Sequence, residues 1–211
     1  MKWVDRVFRL LLRPRDRDTI SGDLLEEYRE EVLPTRGPLA ARLWYVRQVL
    51  SFVSPVTWGL AIGVAAGALN LIGTAIEPLA DDTPGGMSIW AGGLLFLWIL
   101  TSLGAARRTR RFRDAVTAGV LVGAATMAVL HLAAIVRVNV FLEQIRHRSD
   151  WQNLVARFQA SDFRSFRAYA NYEYVSQTPQ LLALGAIVGA VSGALGGAVS
   201  GLIRMTNSPS R

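Results

Sequence analysis

GAIVGAVSGALGGAVSG, residues 185–201, places glycine at Gly185, Gly189, Gly193, Gly197 and Gly201, every fourth position. In a water-soluble helix each would cost about 1 kcal/mol relative to alanine, and five in succession would dissolve it. A bilayer changes the balance, because the backbone there has no water with which to exchange its hydrogen bonds, and glycine loses most of its helix-breaking character. The spacing then has a use. Glycines at i, i+4 and i+8 line one helix face as a groove without side chains, into which another helix backbone settles and gains van der Waals contact. A parallel row, Ser192, Gly196 and Ser200, widens the groove. The stretch reads as a membrane span.

The composition agrees. Of 211 residues 51% are hydrophobic and the mean hydropathy is +0.28, which places the chain in the membrane class with length for several spans. Four windows nearly free of charge run from Val56 to Ile76, Met87 to Ala106, Ala115 to Val136 and Gln180 to Ile203. At 1.5 Å per residue each crosses roughly 30 Å of hydrocarbon. Pro55 and Pro179 stand before the first and fourth, where a missing N–H does a helix no harm. Trp44, Tyr45 and Trp58 fall near one expected membrane interface, where amphipathic rings prefer to lie. The expected fold is all-α: a four-helix transmembrane bundle over residues 53–211, preceded by a small three-helix head over residues 1–52.

Span one repeats the glycine pattern in shorter form at Gly59, Gly63 and Gly67. The economical arrangement packs spans one and four against each other within one subunit; the competing one turns the groove outward and zips copies into a homo-oligomer. A fainter echo relates Thr57, Gly59, Gly63 and Ala65 to Thr117, Gly119, Gly123 and Ala125, as in a duplicated hairpin.

The net charge of +7 is carried almost wholly by arginine, with Lys2 the only lysine. Arginine-rich inside loops account for such basicity in a membrane protein, so no nucleic-acid partner is implied. Arg107, Arg108, Arg110, Arg111 and Arg113 crowd the short turn between spans two and three, whereas the loop between spans one and two carries Glu77, Asp81 and Asp82 and no base. The positive-inside rule puts the arginine turn, beside membrane lipid, in the cytoplasm together with both termini. Residues 137–179 then lie outside. Phe141, Ile145, Trp151, Val155 and Phe158 fall near one helical face there, followed by Phe163, Phe166, Tyr169 and Tyr172. Such a stripe suits the membrane surface, a cap on the bundle, or a ligand-binding lid.

Chemistry is thinly represented. The absence of cysteine excludes disulfides, thiolate metal sites and cysteine nucleophiles. His131 and His147 have no partners at metal-ligand spacing. The glycine-rich run lacks the Lys-Ser/Thr ending of a phosphate-binding loop. No catalytic, cofactor-binding or metal residue is assigned, and nothing points to an enzyme. Asn70, Glu77 and His131 are the few polar residues in or beside the spans, where ionisable groups are functional candidates by default.

The head reads as three short helices: Val4, Val7, Phe8 and Leu11, ended by Pro14; Ile20, Leu24, Tyr28 and Val32, ended at Pro34, Gly37 and Pro38; then Leu39, Leu43, Val46 and Leu50. The basic N-terminus has too short an apolar run for a cleaved signal. Asp23, Glu26, Glu27, Glu30 and Glu31 form an acidic row, read as a solvated face or as a dock for a basic surface.

Ser21-Gly22-Asp23-Leu24-Leu25-Glu26-Glu27-Tyr28-Arg29, followed by Ala41-Arg42-Leu43-Trp44-Tyr45-Val46-Arg47-Gln48-Val49-Leu50, resembles the permease prefix domain that precedes bacterial MacB-like ABC transporter permeases. The resemblance covers the first quarter of the chain. It implies a cytoplasmic helical head on an inner-membrane transport component, with ATP hydrolysis in a separate subunit, and makes Asp23, Glu26, Glu27, Glu30, Trp44 and Tyr45 candidates for partner contact. MacB-like permeases carry a large extracytoplasmic domain between their first two core spans, where this chain has a short acidic loop. The expectation is a stand-alone prefix protein, an accessory or regulatory partner of an ABC transporter subunit; the alternative is a small oligomeric channel or transporter on glycine-lined helices.

Overall fold

The computed structural model describes residues 17–206, and among them the chain is helical with no strand. The helix expected through Val4, Val7, Phe8 and Leu11, and the side chains of Ile20 and Leu50, lie outside the described residues. The chain divides into two compact units, Met1–Thr57 and Trp58–Arg211.

In the first unit, α1 (Arg17–Glu27) runs through a π-helical turn (Tyr28–Val32) into α2 (Leu33–Phe52). The expected break narrows to Gly37, whose φ of 73° interrupts α2. Proline disfavours helical geometry in the residue before it, and glycine alone accepts the positive φ without strain. Leu24, Tyr28 and Val32 pack on Ala41 and Tyr45, with Trp44 alongside. The rings of Tyr28 and Tyr45 meet edge to face at 5.6 Å. The face of α2 turned to this core is Ala41 and Tyr45, and the stripe of Leu39, Leu43 and Val46 is left exposed. A buried aromatic pair contributes more contact than three aliphatic tips, and alanine beside it lets the helices close.

The spans are α3 (Pro55–Ile76), α4 (Pro84–Thr109), α5 (Phe112–Ile145) and α8 (Thr178–Thr206). All four are long and apolar enough to cross a membrane, as in a multi-pass membrane protein. Local chemistry sets their ends. The Ser54 hydroxyl accepts from the Thr57 amide at the start of α3, and Thr83 accepts from the Gly86 amide ahead of α4, with Pro84 in the first turn. Arg110, in the left-handed region at φ 59°, closes α4 by donating its N–H to the Ala106 carbonyl. Asp114 sits in the first turn of α5 and Arg107 and Arg108 in the last turn of α4, each the sign its helix dipole favours.

α5 runs well beyond the expected Val136, to Ile145, with a kink at Phe141, where φ is −111° and ψ 15°. At about 1.5 Å per residue it outreaches the hydrocarbon, and its projecting turns hold a small cap. After a turn come a 3-10 turn (Ser149–Trp151), α6 (Gln152–Gln159) and α7 (Phe166–Ser176). Val138, Leu142, Ile145, Trp151 and Ala170 form the cap core, against which Phe141, Leu154, Phe166 and Tyr174 pack. The aromatic stripe is therefore folded on itself across a chain reversal rather than laid along one helix. Phe158 meets Phe166 and Tyr169, and Phe163 meets Tyr169 and Tyr172, all at centroid distances of 5.3–5.9 Å.

Candidate functional site

The glycine rows of α8 face two neighbours. A methyl group added at Gly193 would lie 2.5 Å from the Ala115 carbonyl oxygen and 2.7 Å from the Val116 Cα; one at Gly185 would lie 2.9 Å from the Gly123 carbonyl oxygen, and one at Gly189 would overlap the Gly119 carbonyl. α5 answers in kind, since methyl groups at Gly119 and Gly123 would strike the Gly189 and Gly185 carbonyls. Backbone therefore rests on backbone. Gly197 abuts the Phe112 ring, and Gly201 has no neighbour within 4 Å. The second row turns toward α4: Gly196 would meet the Ile99 carbonyl and Leu103 amide at 2.9 Å, and Ser192 and Ser200 are buried.

Gly59, Gly63 and Gly67 of α3 do not meet α8. Added methyl groups there would touch Val122 and Ala125, Val129, and Ala133, all of α5. The packing of span one on span four expected from their shared glycine pattern is thus replaced by packing of both on span three. The physical reason lies in the partners' shape: α5 offers Gly119 and Gly123 on one face and the small Ala125 and Ala133 on another. The echo between spans one and three carried this signal, but likeness of two helices does not say which third helix each will meet.

Polar ties reinforce this hub. Thr126 of α5 is fully buried; it accepts from the Trp98 indole N–H of α4 at 3.2 Å, and its hydroxyl lies within bonding distance of the Gly59 carbonyl of α3 at 3.1 Å and the Val122 carbonyl at 2.7 Å. One side chain links three spans. His131 is buried, 2.9 Å from the Thr178 hydroxyl and stacked near Tyr174, which gives it a partner at the start of α8. The Asn70 carbonyl accepts from the Thr74 hydroxyl within α3, and Glu77 sits just past the end of α3.

At the cap end the acidic loop and the arginines of residues 137–179 are partners. Arg148 is 3% exposed and bonds Asp150 at 2.8 and 3.0 Å and Asp82 at 3.2 Å; Arg137 reaches Asp82 at 3.3 Å. The Ser149 amide donates to Asp81 at 3.0 Å, and its hydroxyl donates to the other carboxylate oxygen. The Ser149 hydroxyl bond is the main cause that holds the Asp81 carboxyl below its usual pKa. Burial pulls the Arg148 pKa down, but bonding to Asp150 and Asp82 outweighs it. The reading of Asp81 and Asp82 as topology signals missed this clamp, because nothing in the local pattern pairs positions so far apart.

At the opposite end of α4, Arg107, Arg108, Arg110, Arg111 and Arg113 are all exposed, and no carboxylate among the described residues pairs with Arg107, Arg108, Arg111 or Arg113. In the head, Asp23, Glu26, Glu27, Glu30 and Glu31 are exposed and form no ion pair among the described residues. Trp44 is half-buried and Tyr45 is 1% exposed, so these two candidates for partner contact belong to the head's core. No group of three His, Asp or Glu side chains among the described residues is arranged to hold a metal ion. In comparisons with known proteins, no family model, no curated protein and no solved structure matches the chain.

Proposed function

We propose that the protein is an accessory or regulatory component of an ABC-type transport system in a bacterial inner membrane, acting by protein contact through its head. The head and both termini lie in the cytoplasm in this reading, with the arginine turn on the same side by the positive-inside rule. The observation that carries the proposal is the acidic row Asp23, Glu26, Glu27 and Glu30, exposed and unpaired on a folded helical head. At the cap, by contrast, Asp81 and Asp82 are engaged by Arg148 and Arg137. The resemblance of this head to a permease prefix supplies the class of partner. The glycine faces of α8 are occupied by α5 and α4 of the same chain, which leaves the oligomeric channel with less support.

The test uses the natural absence of cysteine. An Asp23→Cys protein carrying a photoactivatable label is irradiated in native membranes, and its adducts are identified. Recovery of an ABC permease or ATPase subunit, lost when Glu26, Glu27 and Glu30 are changed to lysine, is the expected result. Adducts formed only between copies of the chain, or unaffected by charge reversal, would overturn it.

A further inference from the structure

The first unit has a second exposed face of a different character. Leu39, Leu43 and Val46 are 76%, 68% and 39% exposed, and they stand at helical spacing on the part of α2 that follows the Gly37 break. At about 100° per residue, Arg42 lies about 60° to one side of Leu39 and Arg47 about 80° to the other, while Ala41 and Tyr45 point to the opposite side. Both arginines are exposed and without an ion pair among the described residues. An apolar strip flanked on both sides by arginine is the cross-section of a helix lying in a membrane interface, its apolar side chains among acyl chains and its guanidinia reaching headgroup phosphates.

The covalent chain keeps this strip within reach of a bilayer. α2 ends at Phe52 and the span α3 begins at Pro55, so Val46 is separated from the membrane-crossing helix by about 9 Å of helix and two linking residues. We propose that the Leu39–Val46 portion of α2 lies in the headgroup region of an anionic bilayer as an interfacial helix. Positions 1–16 carry Lys2, Arg6, Arg9, Arg13 and Arg15 against Asp5 and Asp16, a basic surplus that Arg42 and Arg47 repel. An anionic surface attracts both. The same field repels the acidic row on α1 and the π-helical turn and so holds it toward solution. This placement does not depend on the identity of any partner.

Single cysteines at Leu39, Leu43 and Val46, with Glu30→Cys as the solvent-facing control, are labelled with an environment-sensitive fluorophore in the full-length protein. The proteins are reconstituted in phosphatidylglycerol–phosphatidylcholine vesicles without any partner, and quenched by lipid-borne nitroxides. The three strip positions should shift to the blue and report depths of about 5–10 Å below the headgroup boundary, with the control unshifted. Arg42→Glu with Arg47→Glu should abolish the shift at Leu43→Cys. Strip labels quenched no more than the control, a strip that becomes lipid-accessible only after residues 1–16 are deleted, or disulfides through Leu43→Cys between copies, would each overturn the proposal.

Discussion

Replacing glycine by alanine at Gly193 and at Gly201 makes the same chemical change eight residues apart on the same helix, and only the first should destabilise the protein. At Gly193 the new methyl group would stand 2.5 Å from the Ala115 carbonyl oxygen, so α5 and α8 must part by about 1 Å to restore ordinary contact near 3.5 Å. Both obstructing atoms, that oxygen and the Val116 Cα, are backbone, and no rotamer change relieves them. Overpacking of this kind costs about 1–3 kcal/mol, and a gap of up to 1 Å elsewhere along the seam forfeits a quarter to a half of each contact's dispersion energy. Better helix propensity returns at most about 1 kcal/mol. At Gly201 there is nothing within 4 Å, and only the propensity gain remains. Thermal unfolding of purified protein, followed by size-exclusion chromatography with fluorescence detection, reads the difference, at about 2–4 °C per kcal/mol for a chain of this size. Gly193→Ala should melt below the parent and Gly201→Ala at or above it. A Gly193→Ala protein as stable as Gly201→Ala would refute the close approach of α5 and α8.

Further outcomes follow from single contacts. Trp98→Phe should cost about 0.6–1.7 kcal/mol, the range of hydrogen bonds between membrane helices, whereas Thr126→Val, which strands the Trp98 N–H, should cost about 1–3 kcal/mol; a double-mutant cycle in reversible detergent unfolding measures their coupling. Ser102 is fully buried with no hydrogen-bond partner for its hydroxyl among the described residues, so Ser102→Ala should stabilise the protein, by about 1 kcal/mol, in the same assay. Asp81 binds its proton less readily when folded, so its contribution is present above the unfolded pKa of about 3.9 and is lost as pH falls through the lower folded value. Hydrogen exchange at Ser149 should accelerate in that acid range, and Asp81→Asn should show fast exchange already at neutral pH. Arg148→Met should remove the charge-assisted bonds to Asp150 and Asp82 and should release residues 147–152 to proteolysis while the spans stay protected.

The spans were legible because 20 or so apolar residues in a row have few other uses, and because each end carried a chemical mark such as Pro55 or the arginine turn. The pairing of the spans was not legible. Gly59 and Gly189 obey the same spacing rule, yet they meet different faces of α5, and spacing along one helix holds no information about its neighbour. The head shows a related limit. Leu39, Leu43 and Val46 have the period of a core face, and Ala41 and Tyr45 won that place because the Tyr28 ring offered a better fit. Hydrophobic period thus located an apolar face without telling a core face from an exposed one. The clamp of Asp81 and Asp82 on Arg148 was hidden for another reason: it joins residues 66 to 68 positions apart, across two spans.

Central to the account is a bundle in which the glycine faces of α8 are packed against α5 and α4 of the same chain. The cysteine-free sequence allows a direct measurement of this. Cβ atoms at Gly197 and Ala115 would stand 3.3 Å apart, close to the separation a disulfide needs. Gly197→Cys with Ala115→Cys, oxidised in native membranes and run on a non-reducing gel, should form a cross-link that leaves the protein at monomer mass and blocks both thiols. A ladder of dimers in its place, with each single-cysteine variant also linking between copies, would mean that the glycine face of α8 belongs to an oligomer.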